Sequence, residues 1–312
     1  MAVAATGFFD GVHLGHRAVI ETLLKTARER GEQSLILTFW PHPRTVLRGG
    51  SRELRLLTSL EEKRELLRGL GVDRIEVLPF TRDFAALSAA QYLDLLRREY
   101  DVTSIVLGYD NRFGSDGLST EQIEAMVRCG GGSDSPRQNV SLRSTPPFTS
   151  FTVPPLMVPR VAQFSWGESA SPDYVSSSFI RKCLVAGKVD AANAMLGYEY
   201  FLNGVVVSGN MMGRTIGFPT ANMKLREPLK CLPGVGAYLS RVEVEGRQLW
   251  GMTNIDHKEK IETNIFDFDE EIYGLDLKVT FVAKLRDEIH FRSFDELKSQ
   301  LEKDREQAKS LL

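Results

Sequence analysis

The sequence has few of the residues that build disulfide frameworks or zinc sites. Its 312 residues include three cysteines, Cys129, Cys183 and Cys231, and no two of them form a CxxC pair. This spacing argues against a disulfide-stapled secreted module and against a cysteine-rich zinc site. We therefore expect a protein that keeps its thiols reduced in a cytoplasmic location.

Long apolar runs and a strong net charge are also missing. No run approaches the roughly 20 apolar residues that a membrane-spanning helix needs, and the N-terminus lacks the basic and apolar regions of a signal peptide. The formal net charge of −2 gives no electrostatic attraction to nucleic acid or to an anionic membrane. We expect neither partner, so any phosphate site must depend on local features.

The composition that is present is ordinary for a globular protein, with 42% hydrophobic and 26% charged residues, and the length suggests two domains. In the first half, apolar runs at residues 34–39, 75–78 and 104–107 alternate with amphipathic stretches. Ser88 and Gln91 form a capping-box pattern that opens one of the helices. Strands alternating with helices predict a parallel sheet, whose ligands bind at the carboxyl ends of strands.

The stretch from Ala4 to His16 carries the first candidate site. It starts as an apolar run, breaks at Gly7 and Gly11, and continues as an amphipathic pattern, which predicts strand, tight turn and helix. His13 and His16 lie three residues apart and would face the same side of the first helical turn. Unpaired N–H groups and the helix dipole favour an anion there, such as a phosphate. The plainer interpretation is two surface histidines in an ordinary turn.

The segment from Ser115 to Pro172 has weak periodicity, scattered prolines and many serines, so we predict it to be mostly loop. Order returns at residues 175–181, where a run of three serines that includes Ser177 and Ser178 is followed by Arg181 about one helical turn later. Hydroxyl groups at a helix start together with an arginine would form another phosphate cradle. A plain serine cap with a surface arginine fits these residues equally well.

Beyond residue 187 the pattern changes to alternation and turns, which is typical of antiparallel strands. Glu245 and Gly246 separate two alternating runs and predict a hairpin. Ser293 and Glu296 predict the start of a final helix. Mostly antiparallel strands with one terminal helix suggest a small closed barrel.

We therefore divide the chain into an α/β domain, residues 1–186, and a β-barrel domain, residues 187–312. The short helical stretch from Gly187 to Gly197 is expected to be the linker region. The two domains should each carry a site of their own.

The most distinctive feature of the second half is the run GRTIGFPTAN at residues 213–222. Thr220 and Asn222 alternate, so their side chains can point to the same side of a strand. A hydroxyl and an amide oxygen are hard ligands that suit Mg²⁺, an ion that keeps several of its waters. The plainer interpretation is a structured loop without a ligand. The other residues of this candidate site are Gly213, Arg214, Gly217 and Pro219.

The run GFFDGVHLGH at residues 7–16 resembles the HxGH signature of nucleotidyltransferases and the opening of the prokaryotic bifunctional riboflavin kinase and FAD synthetase family. The resemblance implies a Rossmann-like nucleotidyltransferase domain in which His13 and His16 stabilise charge on phosphates. Residues 177–181 are similar to a serine- and arginine-containing motif of the same enzymes. The residues that we assign to ATP and phosphate binding in this domain are Gly7, Phe8, Asp10, Gly11, Asp110, Ser177, Ser178 and Arg181.

The PTAN run at residues 219–222 closely resembles the riboflavin kinase motif. The resemblance implies that Thr220 and Asn222 hold Mg²⁺ and phosphate. Glu262 lies in a segment similar to the family segment whose glutamate is the catalytic base. It would accept a proton from a bound hydroxyl during phosphoryl transfer.

Together these resemblances imply two activities in one chain. The barrel would phosphorylate riboflavin to FMN, and the N-terminal domain would adenylylate FMN to FAD with release of pyrophosphate. The expected partners are riboflavin, FMN and ATP, with Mg²⁺ accompanying ATP as co-substrate.

Two departures from the family leave alternatives open. Residues 256–260, DHKEK, stand where the family usually carries a Gly-x-Arg-Pro-Thr-like run, and residues 115–172 show no family pattern. One alternative is a monofunctional riboflavin kinase with a decayed nucleotidyltransferase domain. The other is a flavin-binding regulator that has lost catalysis. The oligomeric state also stays open.

Overall fold

The computed structural model divides the chain into two compact units. The first comprises Met1–Leu54 and Leu60–Met157, and the second comprises Arg55–Ser59 and Val158–Leu312. The residues that the structure describes are 1–47, 54–108, 111–128, 149–153, 165–166, 169–170, 174–209 and 212–312.

The first unit is a parallel sheet with helices. Its elements are β1 (Ala2–Thr6), α1 (Leu14–Arg30), β2 (Gln33–Trp40), α2 (Pro43–Leu47), α3 (Leu60–Gly69), β3 (Arg74–Pro79), α4 (Arg82–Ala85), α5 (Ala89–Tyr100), β4 (Val102–Gly108), α6 (Thr120–Arg128) and β5 (Thr149–Val153). The five strands are all parallel, in the order β3-β2-β1-β4-β5. The predicted parallel α/β architecture is therefore confirmed.

The strand order places the first candidate site at the centre of this sheet. The chain runs outward from β1 through β2 to β3 and then returns to β4 on the other side of β1. The turn after β1 therefore lies at the point where the strand order reverses, at the carboxyl ends of the strands. All five residues of β1 are buried, as expected for a strand covered on both faces.

Local signals set the helix ends of this unit. Gly31 caps α1 in a left-handed conformation with φ of 64°. The Ser88 hydroxyl accepts from Gln91 N while the Gln91 side chain accepts from Ser88 N, so the predicted capping box is confirmed. The prediction of mostly loop after Ser115 is wrong for α6 and β5, because β5 pairs with β4 along five residues. Most of the remainder, including Cys129, lies outside the described residues.

The second unit is a barrel with a terminal helix. Its elements are β6 (Ser165–Trp166), β7 (Ser169–Ala170), α7 (Ser177–Val185), α8 (Val189–Leu196), β8 (Phe201–Val207), α9 (Met212–Thr215), β9 (Ala221–Leu225), β10 (Gly236–Val244), β11 (Arg247–Ile255), β12 (Ile261–Ile265), β13 (Asp276–Arg286) and α10 (Phe294–Ser310). Strands β10-β11-β12-β9-β8-β13 close the barrel, and all the pairings are antiparallel. The predicted barrel is confirmed.

The hairpin and the terminal helix form as their sequence signals predict. Glu245 and Gly246 join β10 to β11 with φ values of 49° and 73°, the positive angles that a tight hairpin turn requires. The Ser293 hydroxyl caps α10 by accepting from Glu296 N. Arg286 of β13 holds α10 through a buried bidentate ion pair with Asp304.

Helix α8 packs into the core of the second unit. Five of its residues are buried, so the stretch that we expected to be a linker is a packed element. The boundary between residues 186 and 187 falls between α7 and α8, inside the second compact unit. The functional division at that boundary stays a prediction.

Candidate functional sites

The turn between β1 and α1 has an unusual backbone. Phe9, Gly11 and Val12 have φ values of 51°, 83° and 40°, so two bulky residues adopt the left-handed region that normally favours glycine. Such a conformation costs roughly 1–3 kcal/mol for each residue and persists only where the surrounding structure imposes it. Of the two glycines in this turn, Gly11 has a positive φ, which glycine adopts without strain, whereas the φ of Gly7 is not positive. Strain of this kind is concentrated at functional sites.

The two histidines of the turn lie face to face. His13 is the N-cap of α1, and its Nδ1 accepts a hydrogen bond from the backbone N of His16 at 3.3 Å. The two rings are stacked, with 3.6 Å between centroids and 15° between planes. Because Nδ1 of His13 is an acceptor, the proton of the neutral ring lies on Nε2, where it can be donated to an anion.

His16, the other ring of this stack, is half-buried. Burial, then His13 and Lys63, hold the pKa of His16 well below its usual range, so its ring is neutral at pH 7. Its Nδ1 is buried and has no hydrogen-bond partner within the part of the chain that the structure describes. A buried polar atom without a partner is rare and commonly marks a ligand or water position.

Neighbouring strand ends converge on the same turn. Thr38 of β2 donates its hydroxyl to the carbonyl of Phe8 at 3.2 Å, and Asn111 donates to the carbonyl of Thr6 at 3.3 Å. His42, which follows β2, lies edge-on against the Phe8 ring with 4.2 Å between centroids. The three segments that follow β1, β2 and β4 therefore meet at one place.

The other predicted residues of the first site have different outcomes. Asp10 is buried within the turn and interacts electrostatically with Lys63. Asp110 lies outside the described residues. Ser177, Ser178 and Arg181 belong to the second unit, and the hydroxyl that caps α7 is that of Ser176, which accepts from Phe179 N at 3.3 Å. Their role in nucleotide binding stays a prediction.

In the barrel, two of the predicted residues lie on neighbouring strands. Asn222 of β9 is directly opposite Glu262 of β12 in an antiparallel pair, and Asn254 of β11 is opposite Glu262 on the other side. Residues directly opposite each other in such a pair have side chains on the same face. The amide and the carboxylate of the predicted site therefore share one face of the barrel.

The surroundings of Asn222 fit a hard cation. Its side chain is buried, and Oδ1 has no hydrogen-bond partner among the residues described. A Cβ added at Gly209 would overlap the Asn222 amide, so a larger residue there would displace that side chain. An orphaned amide oxygen suits Mg²⁺, which usually takes few protein ligands besides water and substrate phosphates.

Thr220 precedes β9 and lines a cavity with the segment that follows β12. The walls of this cavity are Val206, Pro219, Thr220, Ala221, Thr263, Ile265, Phe268, Asp269, Glu270, Glu271, Ile272 and Tyr273. The loop before Thr220 is tight, since Phe218 N donates to Gly213 O at 2.8 Å and Gly217 has φ of 80°. Arg214 lies in the short helix α9 of that loop.

The altered run at residues 256–260 forms a compact turn beside Glu262. Asp256 Oδ1 accepts from the backbone N of Lys258 and of Lys260, at 2.8 and 2.9 Å. The Lys260 ammonium then reaches Glu262 Oε1 at 2.6 Å. The proposed base is therefore paired with a lysine that is part of the departure from the family pattern.

Sequence reasoning missed the residues that support these sites. Asn264 donates from Nδ2 to the carbonyl of Pro219 at 2.7 Å, and Arg305 of α10 lies over the Phe218 ring with 4.4 Å to its centroid. Lys63 was likewise missed in the first unit. A period-two pattern at Asn264 could have indicated its face, but no local signal indicates the partners of Arg305 or Lys63.

Two features are absent from the described part of the chain. It contains no helix that is long and apolar enough to cross a membrane. It also contains no cluster of three or more histidine, cysteine or acidic residues placed to hold a metal ion. A magnesium site at Thr220 and Asn222 would therefore depend on neutral oxygen ligands.

Comparisons with known proteins match both halves of the chain. Residues 1–132 match the family model described as FAD synthetase, and residues 196–312 match the one described as riboflavin kinase. A Bacillus subtilis (strain 168) protein described as a bifunctional riboflavin kinase/FMN adenylyltransferase is 34% identical, over 98% of this chain and 91% of the relative. An Escherichia coli (strain K12) protein with the same description is 32% identical, over 97% of this chain and 90% of the relative.

The fold also matches a solved structure along the whole chain. A structure described as a macrolide-efflux protein from Streptococcus pneumoniae gives a TM-score of 0.82 at 28% identity. The match covers 99% of this chain and 93% of that one. The architecture of both units is thus shared with a solved protein.

Proposed function

The chain belongs to the bifunctional riboflavin kinase/FMN adenylyltransferase family, and from this membership we propose a site for each of its two reactions. The chain phosphorylates riboflavin to FMN with ATP, and it joins FMN to the adenylyl group of a second ATP to give FAD and pyrophosphate. The kinase reaction is assigned to the barrel and the adenylyltransferase reaction to the turn after β1. We keep the division at residues 186 and 187 as the proposed functional boundary.

In the kinase site, Glu262 accepts the proton of the ribityl hydroxyl of riboflavin as the hydroxyl oxygen attacks the γ-phosphorus of ATP, and ADP leaves. The shared face of Glu262 and Asn222 is the observation that carries this assignment, because base and phosphate ligands must meet at the reacting atoms. Gly213, Arg214, Gly217 and Pro219 form the loop that we assign to ATP.

Thr220 and Asn222 are the residues that would hold Mg²⁺ in this site. When bound, the ion neutralises phosphate charge during transfer. The orphaned Oδ1 of Asn222 supports this assignment, since a buried amide oxygen needs a partner. The residues themselves would orient the phosphates.

In the adenylyltransferase site, a phosphate oxygen of FMN attacks the α-phosphorus of ATP and pyrophosphate departs. His13 and His16 donate to the phosphates, and the N–H groups at the start of α1 add a preorganised positive potential. The stacked imidazoles at this helix start carry the assignment. No covalent enzyme intermediate is needed, because this chemistry depends on positioning and charge stabilisation.

The experiment that tests the function is incubation of the full chain with riboflavin and MgATP, followed by chromatographic separation of the flavins. We expect FMN followed by FAD. FMN alone would indicate a monofunctional kinase, and unchanged riboflavin would indicate a flavin-binding regulator. We also propose a cytoplasmic location, in keeping with the buried free thiols of Cys183 and Cys231.

A further inference from the structure

Lys63 is a buried ammonium beside the adenylyltransferase turn. It lies on α3, and its side chain is fully buried. Its Nζ donates to the Thr38 hydroxyl at 3.3 Å and lies 3.6 Å from the centroid of the Phe8 ring. Thr38 in turn donates to the Phe8 carbonyl, so the lysine contacts the turn through both the ring and the backbone.

The contacts of Lys63 do not balance its charge. An ammonium has three donors, whereas Lys63 makes one hydrogen bond to a hydroxyl and otherwise lies over an aromatic ring. No ion pair joins Lys63 to any carboxylate of the described residues, although Asp10 acts on it at longer range. An ammonium buried without a counter-ion is strongly destabilising, so a protein that keeps one normally has a use for it.

A second unsatisfied group lies in the same place. Nδ1 of His16 is buried without a partner, and Lys63 acts electrostatically on that ring. One buried imidazole nitrogen without a partner and one buried ammonium without an ion pair, both beside this turn, indicate a ligand rich in hydrogen-bond acceptors and negative charge. A nucleotide triphosphate has both properties.

We propose that Lys63 is the counter-charge for the phosphates of ATP in the adenylyltransferase site. In the free enzyme Phe8 and Thr38 hold its ammonium in place, and the phosphates of the bound nucleotide become its anionic partner. The inference rests on the placement of ATP at the His13 turn proposed above. In this role Lys63 stabilises the negative charge that accumulates on the departing pyrophosphate, while the histidines donate from the start of α1.

The charge state of Lys63 gives this role a distinctive pH dependence. Burial lowers the pKa of Lys63 to about 8, and Asp10 opposes that effect. The other titratable groups around the turn are His13, His16 and His42, together with Glu62 on the same helix. Above pH 8 the free enzyme carries a neutral amine, so binding of ATP must take up a proton. The kcat/KM for ATP, which reports groups of the free enzyme, should then fall with rising pH.

The test measures FAD formation from supplied FMN and MgATP in the full chain. Lys63→Met removes the charge and keeps an apolar stem of similar length. Lys25→Met is the matched control, because Lys25 lies on α1 of the same unit with a side chain 75% exposed. We expect Lys63→Met to lower kcat/KM for ATP by about 10- to 100-fold and to abolish the decline above pH 8. Lys25→Met should leave both unchanged.

Each outcome decides between specific hypotheses. FMN formation from riboflavin by the same variant checks that the barrel is intact, and it should stay within about twofold because its residues belong to the other unit. An unchanged kcat/KM in Lys63→Met, or a wild-type profile without the decline near pH 8, would overturn the inference even if the variant folds poorly. If FAD formation survives replacement of both His13 and His16, the proposed adenylyltransferase site itself is wrong. If FAD formation is lost in that double variant but intact in Lys63→Met, only the role of Lys63 is wrong.

Discussion

The two sites hold charge in different ways. At the turn after β1, the candidate groups are a buried imidazole, a half-buried one and a buried ammonium, on a backbone with two strained non-glycine residues. In the barrel, the candidate groups are neutral oxygens on strand β9 and just before it, and a carboxylate whose ion pair is about one-third exposed. The first site is preorganised by burial, and the second depends on a cation and on solvent-accessible pairs.

This difference predicts different sensitivities. Removal of a buried group at the first site leaves its neighbours unsatisfied and should cost much activity. The second site should respond to the supply of Mg²⁺ and only weakly to its surface charges. Variants that impair one reaction and preserve the other are therefore the sharpest tests.

Loss of both imidazoles should have the largest effect. We expect His13→Ala with His16→Ala to reduce FAD formation from FMN by about 1,000-fold or more, since donors to developing phosphate charge are each worth roughly 100- to 1,000-fold. Initial rates from chromatography measure the effect. The matched control is His257→Ala with His290→Ala, two exposed histidines of the second unit. Equal loss of FMN formation in the test variant would contradict separate sites.

Removal of the proposed base should come next. Glu262→Gln keeps the size of the side chain and removes its basicity, so kcat for FMN formation should fall by about 100-fold or more. FAD formation from supplied FMN should be unaffected. Glu243→Gln, on β10 with a side chain 46% exposed, is the control. A kcat that stays near wild type would refute the assignment of Glu262.

Asn222→Ala tests the cation site. We expect the Mg²⁺ concentration for half-maximal FMN formation to rise by at least about tenfold, because an oxygen ligand is removed. Titration of the initial rate with Mg²⁺ measures this shift, and Asn203→Ala on β8 of the same barrel serves as control. If the half-maximal concentration of Asn222→Ala does not move, Asn222 does not bind the metal.

The smallest effect is expected at Lys260. Its pair with Glu262 is partly exposed, so Lys260→Met should change FMN formation by no more than about fivefold. We expect the rate of FMN formation to increase, because the Glu262 carboxylate no longer forms an ion pair with the Lys260 ammonium. Lys258→Met in the same turn is the control for loss of a surface charge. A large decrease would show instead that Lys260 contacts the substrate.

Sequence patterns located the elements whose signals are local. The capping box at Ser88 and Gln91, the hairpin at Glu245 and Gly246, and the helix start at Ser293 each depend on residues within a few positions of one another. The closed barrel could be predicted because apolar and polar residues alternate along its strands and turns separate them at short intervals. These features required no knowledge of distant contacts.

The missed features depend on contacts between distant parts of the chain. Lys63 lies on an amphipathic helix, where a lysine normally faces solvent, and its burial follows from the approach of Phe8 and Thr38. Strand β5 was missed because its five residues carry little periodicity and are placed by pairing with β4. Within the serine run before α7, the structure shows that the capping hydroxyl is that of Ser176, the residue before the pair that we assigned to phosphate binding.

The last helix has a consequence for how such proteins are recognised from their genes. Helix α10 is anchored by Asp304 and reaches the PTAN loop through Arg305, whose guanidinium covers Phe218. A polypeptide ending just before Phe294 would keep the PTAN run and Glu262, yet its phosphate loop would lose that cover. An inventory of short signatures would classify such a truncated product as an active kinase, whereas its C-terminal residues decide whether the loop is held.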